Sequence, residues 1–183
     1  VCLGTHTLAG DEIQDLRQRC EKLNDTPVTI ERKGKFSEDS VISEYIAELI
    51  ENSKPHMGSR RLKVVVDAGN GVGGMTGCAI LRGLGVELIE LFCDPDGNFP
   101  NHHPDPTVPK CLSTLIKTVK ETGADLGIGW DGDADRIGVV DEKGEILWGD
   151  MLMLVYTREI LKHVPGATVI ADVKCSSNLF KFL

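Results

Sequence analysis

Short apolar runs alternate with helical patterns along this 183-residue chain, and the alternation restricts the folds open to it. The strand-like runs cover 62–66, 86–92, 124–130 and 168–173, and the helical patterns cover 10–23, 41–50, 72–84, 108–122 and 150–163. Strands separated by helices favour a parallel sheet, because each helix carries the chain back to the same edge. Two short runs, 137–140 and 145–148, predict an antiparallel hairpin. The sequence therefore predicts an α/β fold with a largely parallel sheet.

Composition argues against several classes of protein. The formal net charge of -8 argues against a nucleic-acid partner or an anionic membrane partner. No apolar run approaches the length of a membrane span, and no signal peptide opens the chain. The six cysteines form no CxxC pair and mostly lie in apolar patterns, so we expect buried thiols in a cytoplasmic protein.

A triple aspartate motif follows the run at 124–130. Asp131, Asp133 and Asp135 alternate with small residues, and Arg136 comes next. Three carboxylates at this spacing repel one another unless a cation lies among them, and small spacers let the backbone bring them together. Hard oxygen ligands on a short loop suit Mg²⁺, which keeps coordination positions open for a phosphate oxygen. Arg136 is then predicted to contact the same phosphate, and the motif indicates a phosphate-handling enzyme.

Two other interpretations of the motif are weaker. A solvated acidic turn seldom has this regular spacing directly after a strand. An EF-hand calcium loop that starts at Asp131 would place Glu142 at position twelve, but position six would be Arg136 where glycine is required. The motif also lies between strand patterns, whereas an EF-hand loop lies between helices. We therefore favour the magnesium interpretation.

A glycine turn between a strand and a helix has two interpretations. Gly69, Gly71 and Gly74 fit the GxGxxG pattern of dinucleotide sites and resemble the cofactor loop of S-adenosylmethionine-binding proteins. Glycines also permit a tight turn with close backbone packing. We favour the packing role, because a cofactor here would leave the three aspartates without a function. A nucleotide- or S-adenosylmethionine-binding module is the alternative.

Two further polar segments are candidates for a functional site. The proline-rich segment at 94–106 contains the pair His102 and His103, which could bind a metal or transfer protons, but its four prolines favour a stiff structural loop. Lys174 follows the run at 168–173, and active sites of α/β folds gather at strand ends.

Together these segments resemble the α-D-phosphohexomutases, within the bacterial phosphomannomutase/phosphoglucomutase branch. The resemblance rests on residues 64–74, 96–106, 131–140 and 172–176. It implies a three-layer α/β/α domain with a mixed, mostly parallel sheet, as in the second domain of that family, with partial flanking domains. The expected boundaries are 1–36 for the end of domain 1, 37–147 for a complete domain 2 and 148–183 for the start of domain 3.

The resemblance also implies a function. Family members interconvert hexose 6-phosphate and hexose 1-phosphate, with mannose or glucose as the sugar, through a phosphoserine and a bisphosphorylated intermediate. It implies that Asp131, Asp133 and Asp135 hold Mg²⁺, and that the catalytic residues include Arg136, at a phosphate, and Lys174, at the substrate. No serine of this chain is followed by histidine, as in the nucleophile loop of the family. We therefore expect a fragment that is inactive without the missing domains of the same enzyme.

Overall fold

The computed structural model describes residues 2–24 and 34–182 of the chain. The chain divides into two compact units, Val1–Asp39 and Ser40–Leu183. The first unit contains an antiparallel strand pair, β1 (Cys2–Leu3) and β2 (His6–Thr7), and the helix α1 (Asp11–Asn24), which confirms the helix predicted over 10–23. Acidic residues occupy the first turn of α1, where they interact favourably with the helix dipole.

The second unit contains the predicted α/β fold. Its elements in chain order are α2 (Ile42–Ser53), β3 (Lys63–Asp67), α3 (Gly73–Gly83), β4 (Glu87–Leu91), α4 (Ser113–Thr122), β5 (Leu126–Trp130), β6 (Ile137–Asp141), β7 (Ile146–Leu147), α5 (Gly149–His163) and α6 (Ser177–Lys181). The five strands lie in the order β4-β3-β5-β6-β7. Strands β4, β3 and β5 are parallel, whereas β5, β6 and β7 pair in the antiparallel sense. The predicted mixed sheet is confirmed.

Helices cover both faces of this sheet. Val64 and Val66 of β3 pack on one face with Cys78 of α3, whereas Val65 packs on the other face with Leu115 of α4. Strand β3 is apolar at successive positions because both of its faces are buried. The result is a three-layer α/β/α arrangement with one hydrophobic cluster on each side of the sheet.

The strand predicted over 168–173 is wrong. Ile170 and Val173 are 86% and 97% exposed, and no described strand pairs with this segment. An apolar run becomes a strand only where a neighbour completes its backbone hydrogen bonds. This segment has the composition of a strand, but no described strand lies beside it to complete those hydrogen bonds.

The expectation that the cysteines are buried holds only in part. Cys2 and Cys20 are exposed, and Cys78 is the buried thiol among the described residues. The two exposed cysteines belong to the first unit, where α1 has no buried residue. None of the described helices combines the length and the apolar character that a membrane span requires.

Candidate metal centre

The triple aspartate motif connects β5 to β6, and we call residues 131–136 the aspartate loop. The two strands are paired up to Trp130 and Ile137, so the loop is the tip of a hairpin. The backbone N–H of Ala134 donates to the carbonyl oxygen of Asp131 at 3.2 Å and tightens the turn. Ala134 has a φ of 61°, a left-handed conformation that residues with a side chain seldom adopt. The sequence therefore uses small residues where the backbone must curl.

The three carboxylates of the aspartate loop converge. One oxygen from each of Asp131, Asp133 and Asp135 lies within 4.8 Å of the other two. Asp131 is 2% exposed at the base of the loop, whereas the other two side chains are exposed. This open donor set, made of hard oxygens only, fits a cation such as Mg²⁺ and leaves space for water or phosphate as further ligands.

Arg136 organises the base of the aspartate loop. Its backbone N–H donates to Oδ1 of Asp131 at 2.9 Å, and its Nε donates to Oδ2 at 2.8 Å. Burial alone would raise the pKa of Asp131, but these two donors outweigh burial and the pKa is lowered. The pKa of Asp135 is raised, because the charges of Asp133 and Asp131 lie close to it. A cation among the carboxylates would relieve that repulsion.

Arg136 also joins the aspartate loop to the proline-rich segment. Its Nη1 donates to Oδ1 of Asp105 at 3.2 Å, and Asp105 accepts further hydrogen bonds from the N–H and hydroxyl groups of Thr107 at 3.0 and 2.7 Å. The Arg136 side chain remains 52% exposed, so a phosphate has access to it. Sequence reasoning missed Asp105, because a loop residue 31 positions from Arg136 has no periodic relation to it.

The glycine turn packs directly against the aspartate loop. The N–H of Val72 donates to the carbonyl oxygen of Gly132 at 3.0 Å, and a Cβ atom at Gly71 would lie 2.6 Å from the same oxygen. A Cβ atom at Gly74 would overlap the backbone of Cys93. The missing side chains therefore allow close approach of other parts of the protein. This favours the packing role of the turn over a nucleotide or S-adenosylmethionine site.

A pair between the buried Asp67 and the partly exposed His102 anchors the proline-rich segment. Asp67 accepts from the N–H of Gly69 at 2.8 Å, and its two oxygens lie 3.0 and 3.1 Å from Nε2 of His102. Nδ1 of His102 lies 2.9 Å from the carbonyl oxygen of His103. Because a carbonyl only accepts, Nδ1 carries one proton and a further proton lies between Nε2 and Asp67. Both ring nitrogens of His102 make hydrogen bonds within the protein, which supports the structural role expected for this segment.

Lys174 lies at the wall of a cavity. Its side chain is exposed, and its backbone N–H donates to Oδ1 of Asp172 at 2.8 Å. It lines a cavity of about 600 Å³ whose walls include Trp148 and Asp150. Among the described residues, that lining contains no member of the aspartate loop. Arg136 thus contacts Asp131 directly, whereas Lys174 lines a cavity whose described walls include no residue of the aspartate loop.

Comparisons with known proteins identify the family. The family described as phosphoglucomutase/phosphomannomutase, alpha/beta/alpha domain II, matches residues 43–144. The chain is 42% identical over 179 residues to a phosphomannomutase/phosphoglucomutase of Pseudomonas putida, covering 98% of this chain and 37% of that protein. It is 44% identical over 172 residues to a phosphoglucomutase of Neisseria meningitidis, covering 94% and 36%. A solved structure of a phosphoglucomutase/phosphomannomutase family protein from Burkholderia thailandensis superposes with a TM-score of 0.83 at 40% identity, over 96% of this chain and 37% of that one.

The fold and the site define an α/β protein whose acidic hairpin loop suits a hard cation. The chain belongs to the phosphoglucomutase/phosphomannomutase family, and residues 43–144 match its α/β/α domain II. The chain spans little more than a third of the length of these relatives, 37% for the Pseudomonas putida protein.

Proposed function

We propose that this chain is part of a phosphohexomutase that interconverts hexose 6-phosphate and hexose 1-phosphate, with mannose or glucose as the sugar. The observation that carries the proposal is the convergence of Asp131, Asp133 and Asp135 beside Arg136 in a chain of this family. The reaction would run in the cytoplasm through a phosphoserine and a bisphosphorylated sugar. Residues 1–36, 37–147 and 148–183 would belong to the first, second and third domains.

The aspartate loop would hold Mg²⁺ in this enzyme. When bound, Mg²⁺ neutralises negative charge on phosphoryl oxygens during transfer. Arg136 keeps Asp131 ionised, and each oxygen of that carboxylate has a lone pair beyond the one that Arg136 uses. Asp131 can therefore bind the cation without giving up Arg136. Asp133 and Asp135 would complete the ligand set from the exposed side of the loop.

Arg136 and Lys174 would contribute positive charge from different positions. Phosphoryl transfer depends mainly on positioning and on electrostatic stabilisation, so a half-exposed guanidinium beside the metal loop suits a phosphate contact. Lys174 would contact the substrate from the wall of its own cavity. The other domains of the enzyme are the proposed partners of this chain, because the chain covers only 37% of the length of the Pseudomonas putida relative. The 183 residues alone are expected to be inactive.

A mutase assay tests this proposal on the full polypeptide that contains this sequence and the remaining domains. The assay follows Mg²⁺-dependent conversion of glucose 1-phosphate and mannose 1-phosphate to the 6-phosphates. Asp133→Asn should lower turnover by more than about 100-fold, because a ligand of the metal is lost. Glu142→Gln is the matched control, since it removes an exposed charge outside the loop and should leave turnover unchanged. Equal turnover of Asp133→Asn and wild type would contradict the proposal, as would full turnover by the 183-residue chain alone.

A further inference from the structure

Two cysteines form a close pair on the α3 side of the sheet. Cys78 lies in α3 and is 3% exposed, and Cys93 follows the end of β4 and is partly exposed. Their sulfur atoms are 3.5 Å apart. We call Cys78 and Cys93 the dithiol. A disulfide requires the two sulfurs to approach from 3.5 Å to about 2 Å, so a side chain must rotate for the bond to form.

The two thiols of the dithiol differ in reactivity. Cys78 donates a hydrogen bond to the sulfur of Cys93, and this bond is the main reason why the pKa of Cys93 is lowered. The same bond, together with burial, raises the pKa of Cys78. The thiolate is the form of cysteine that peroxides attack, and a second thiol beside it can resolve the oxidised product. Because Cys93 is partly exposed and Cys78 is buried, peroxide reaches Cys93 first, and Cys78 is the resolving thiol.

We infer that Cys78 and Cys93 are an oxidation site that a peroxide converts to an intrachain disulfide. In the first step the Cys93 thiolate attacks one oxygen of hydrogen peroxide, forming Cys93 sulfenic acid after the O–O bond breaks and hydroxide leaves. In the second step the Cys78 sulfur attacks the sulfenic sulfur, the S–S bond forms, and water leaves with the Cys78 proton. Two thiols are oxidised and one peroxide is reduced to two waters.

A metal site is the competing use of these residues. Oxygen and sulfur atoms of Glu90, Cys78 and Cys93 lie within 4.8 Å of one another, a spacing that a zinc ion could bridge. The carboxylate of Glu90, however, is already paired with the guanidinium of Arg82. Zinc would have to displace that arginine, whereas a disulfide needs only the two sulfurs. The geometry therefore favours oxidation.

Oxidation would tie α3 to the segment that supports the glycine turn. Gly74, in the first turn of α3, packs against the backbone of Cys93. A disulfide between Cys78 and Cys93 would restrict the conformations of the unfolded chain. It should therefore raise the midpoint temperature of unfolding by several degrees.

The test is peptide mapping of the folded 183-residue chain after treatment with hydrogen peroxide. Trypsin cuts at Arg82, between the two cysteines, and releases residues 64–82 and 83–110 with one cysteine each. The expected result is a linked pair of these peptides, two hydrogens lighter than their sum, with a raised unfolding temperature, both reversed by dithiothreitol. Cys111→Ser should form the same link, as the matched control.

Cys78→Ser separates the two steps, because serine keeps a hydrogen-bond donor beside Cys93 but cannot form a disulfide. In this variant Cys93 should accumulate as sulfenic acid and react with dimedone, which a merely buried thiol would not do. Cys93→Ser should give neither the link nor a dimedone adduct at residue 78. The inference is overturned if the peptides stay unlinked while Cys2 and Cys20 are oxidised, or if bound zinc protects both thiols of the untreated protein. These outcomes are independent of mutase activity.

Discussion

Arg136 holds Asp131 at two points, with its backbone N–H on Oδ1 at 2.9 Å and its Nε on Oδ2 at 2.8 Å. One residue thus closes the aspartate loop and neutralises the buried carboxylate at its base. Its remaining surface is open to solvent, where a phosphate would approach. The loop is therefore shaped before any cation arrives, and the repulsion that remains lies among the aspartates themselves.

Arg136→Gln should raise the pKa of Asp131. The substitution removes the guanidinium donor and its charge, so that only the backbone N–H of residue 136 still opposes the effect of burial. The carboxyl carbon shift of Asp131, followed by NMR from pH 2 to 7, measures the change. Arg60→Gln removes the guanidinium of another arginine–aspartate pair, with Asp125, and should leave the Asp131 titration unchanged. An unaltered Asp131 titration in Arg136→Gln would contradict the role assigned to Arg136.

Gly71→Ala should destabilise the fold and disturb the aspartate loop. The new Cβ would lie 2.6 Å from the carbonyl oxygen of Gly132, so the backbone must shift at a cost of about 1–3 kcal/mol. Urea unfolding measures the loss. Gly97→Ala is the control, because its Cβ would meet no atom within 4 Å. Equal stability of the two variants would show that close packing does not explain the glycine turn.

Ala134→Gly should be neutral or stabilising by up to about 1 kcal/mol. Glycine adopts the left-handed conformation at φ 61° without steric cost, which offsets its larger entropy in the unfolded chain. The same substitution at the exposed Ala47 of α2 should cost about 1 kcal/mol, as in any helix interior. Chemical denaturation of both variants provides the comparison. A similar loss at both positions would argue against backbone strain at Ala134.

Asp67→Asn should change how stability depends on pH. Burial raises the pKa of Asp67 in the folded protein. The stability that the protonated Asp67 contributes is therefore fully present below its unfolded pKa of 3.8, and it is lost as the pH rises through the folded pKa. Asparagine can keep the contacts of the protonated acid to Gly69 and His102 without ionising. Relative to Asp67→Asn, the wild type should therefore lose stability as the pH rises above about 4. A gain in that range would show that an ion pair with His102 outweighs burial.

The order of strands and helices was predictable from local patterns. Strand β3 lies at Lys63–Asp67 against an expected 62–66, because a strand buried on both faces is apolar at successive positions. The convergence of alternating aspartates was expected for a similar reason, since spacing and small residues act within one loop. The run at 168–173 shows the limit of such patterns, because strand formation depends on a partner that local composition does not reveal.

Contacts between distant segments were not predictable. Arg136 with Asp105, and His102 with Asp67, join residues that lie 31 and 35 positions apart. Charge and residue type marked Arg136 and His102 as candidates, but only the fold shows which carboxylate each one meets. The pairing of Cys78 with Cys93 has the same origin, since α3 and the end of β4 meet only in the folded sheet.

Direct titration of the isotope-labelled chain with Mg²⁺, followed by two-dimensional amide NMR, tests the magnesium assignment most directly. We expect saturable shifts centred on residues 131–136 in the wild type and in Glu142→Gln, and their loss in Asp133→Asn. Shifts that never saturate, or that are identical in wild type and Asp133→Asn, would contradict the claim that the aspartate loop binds magnesium.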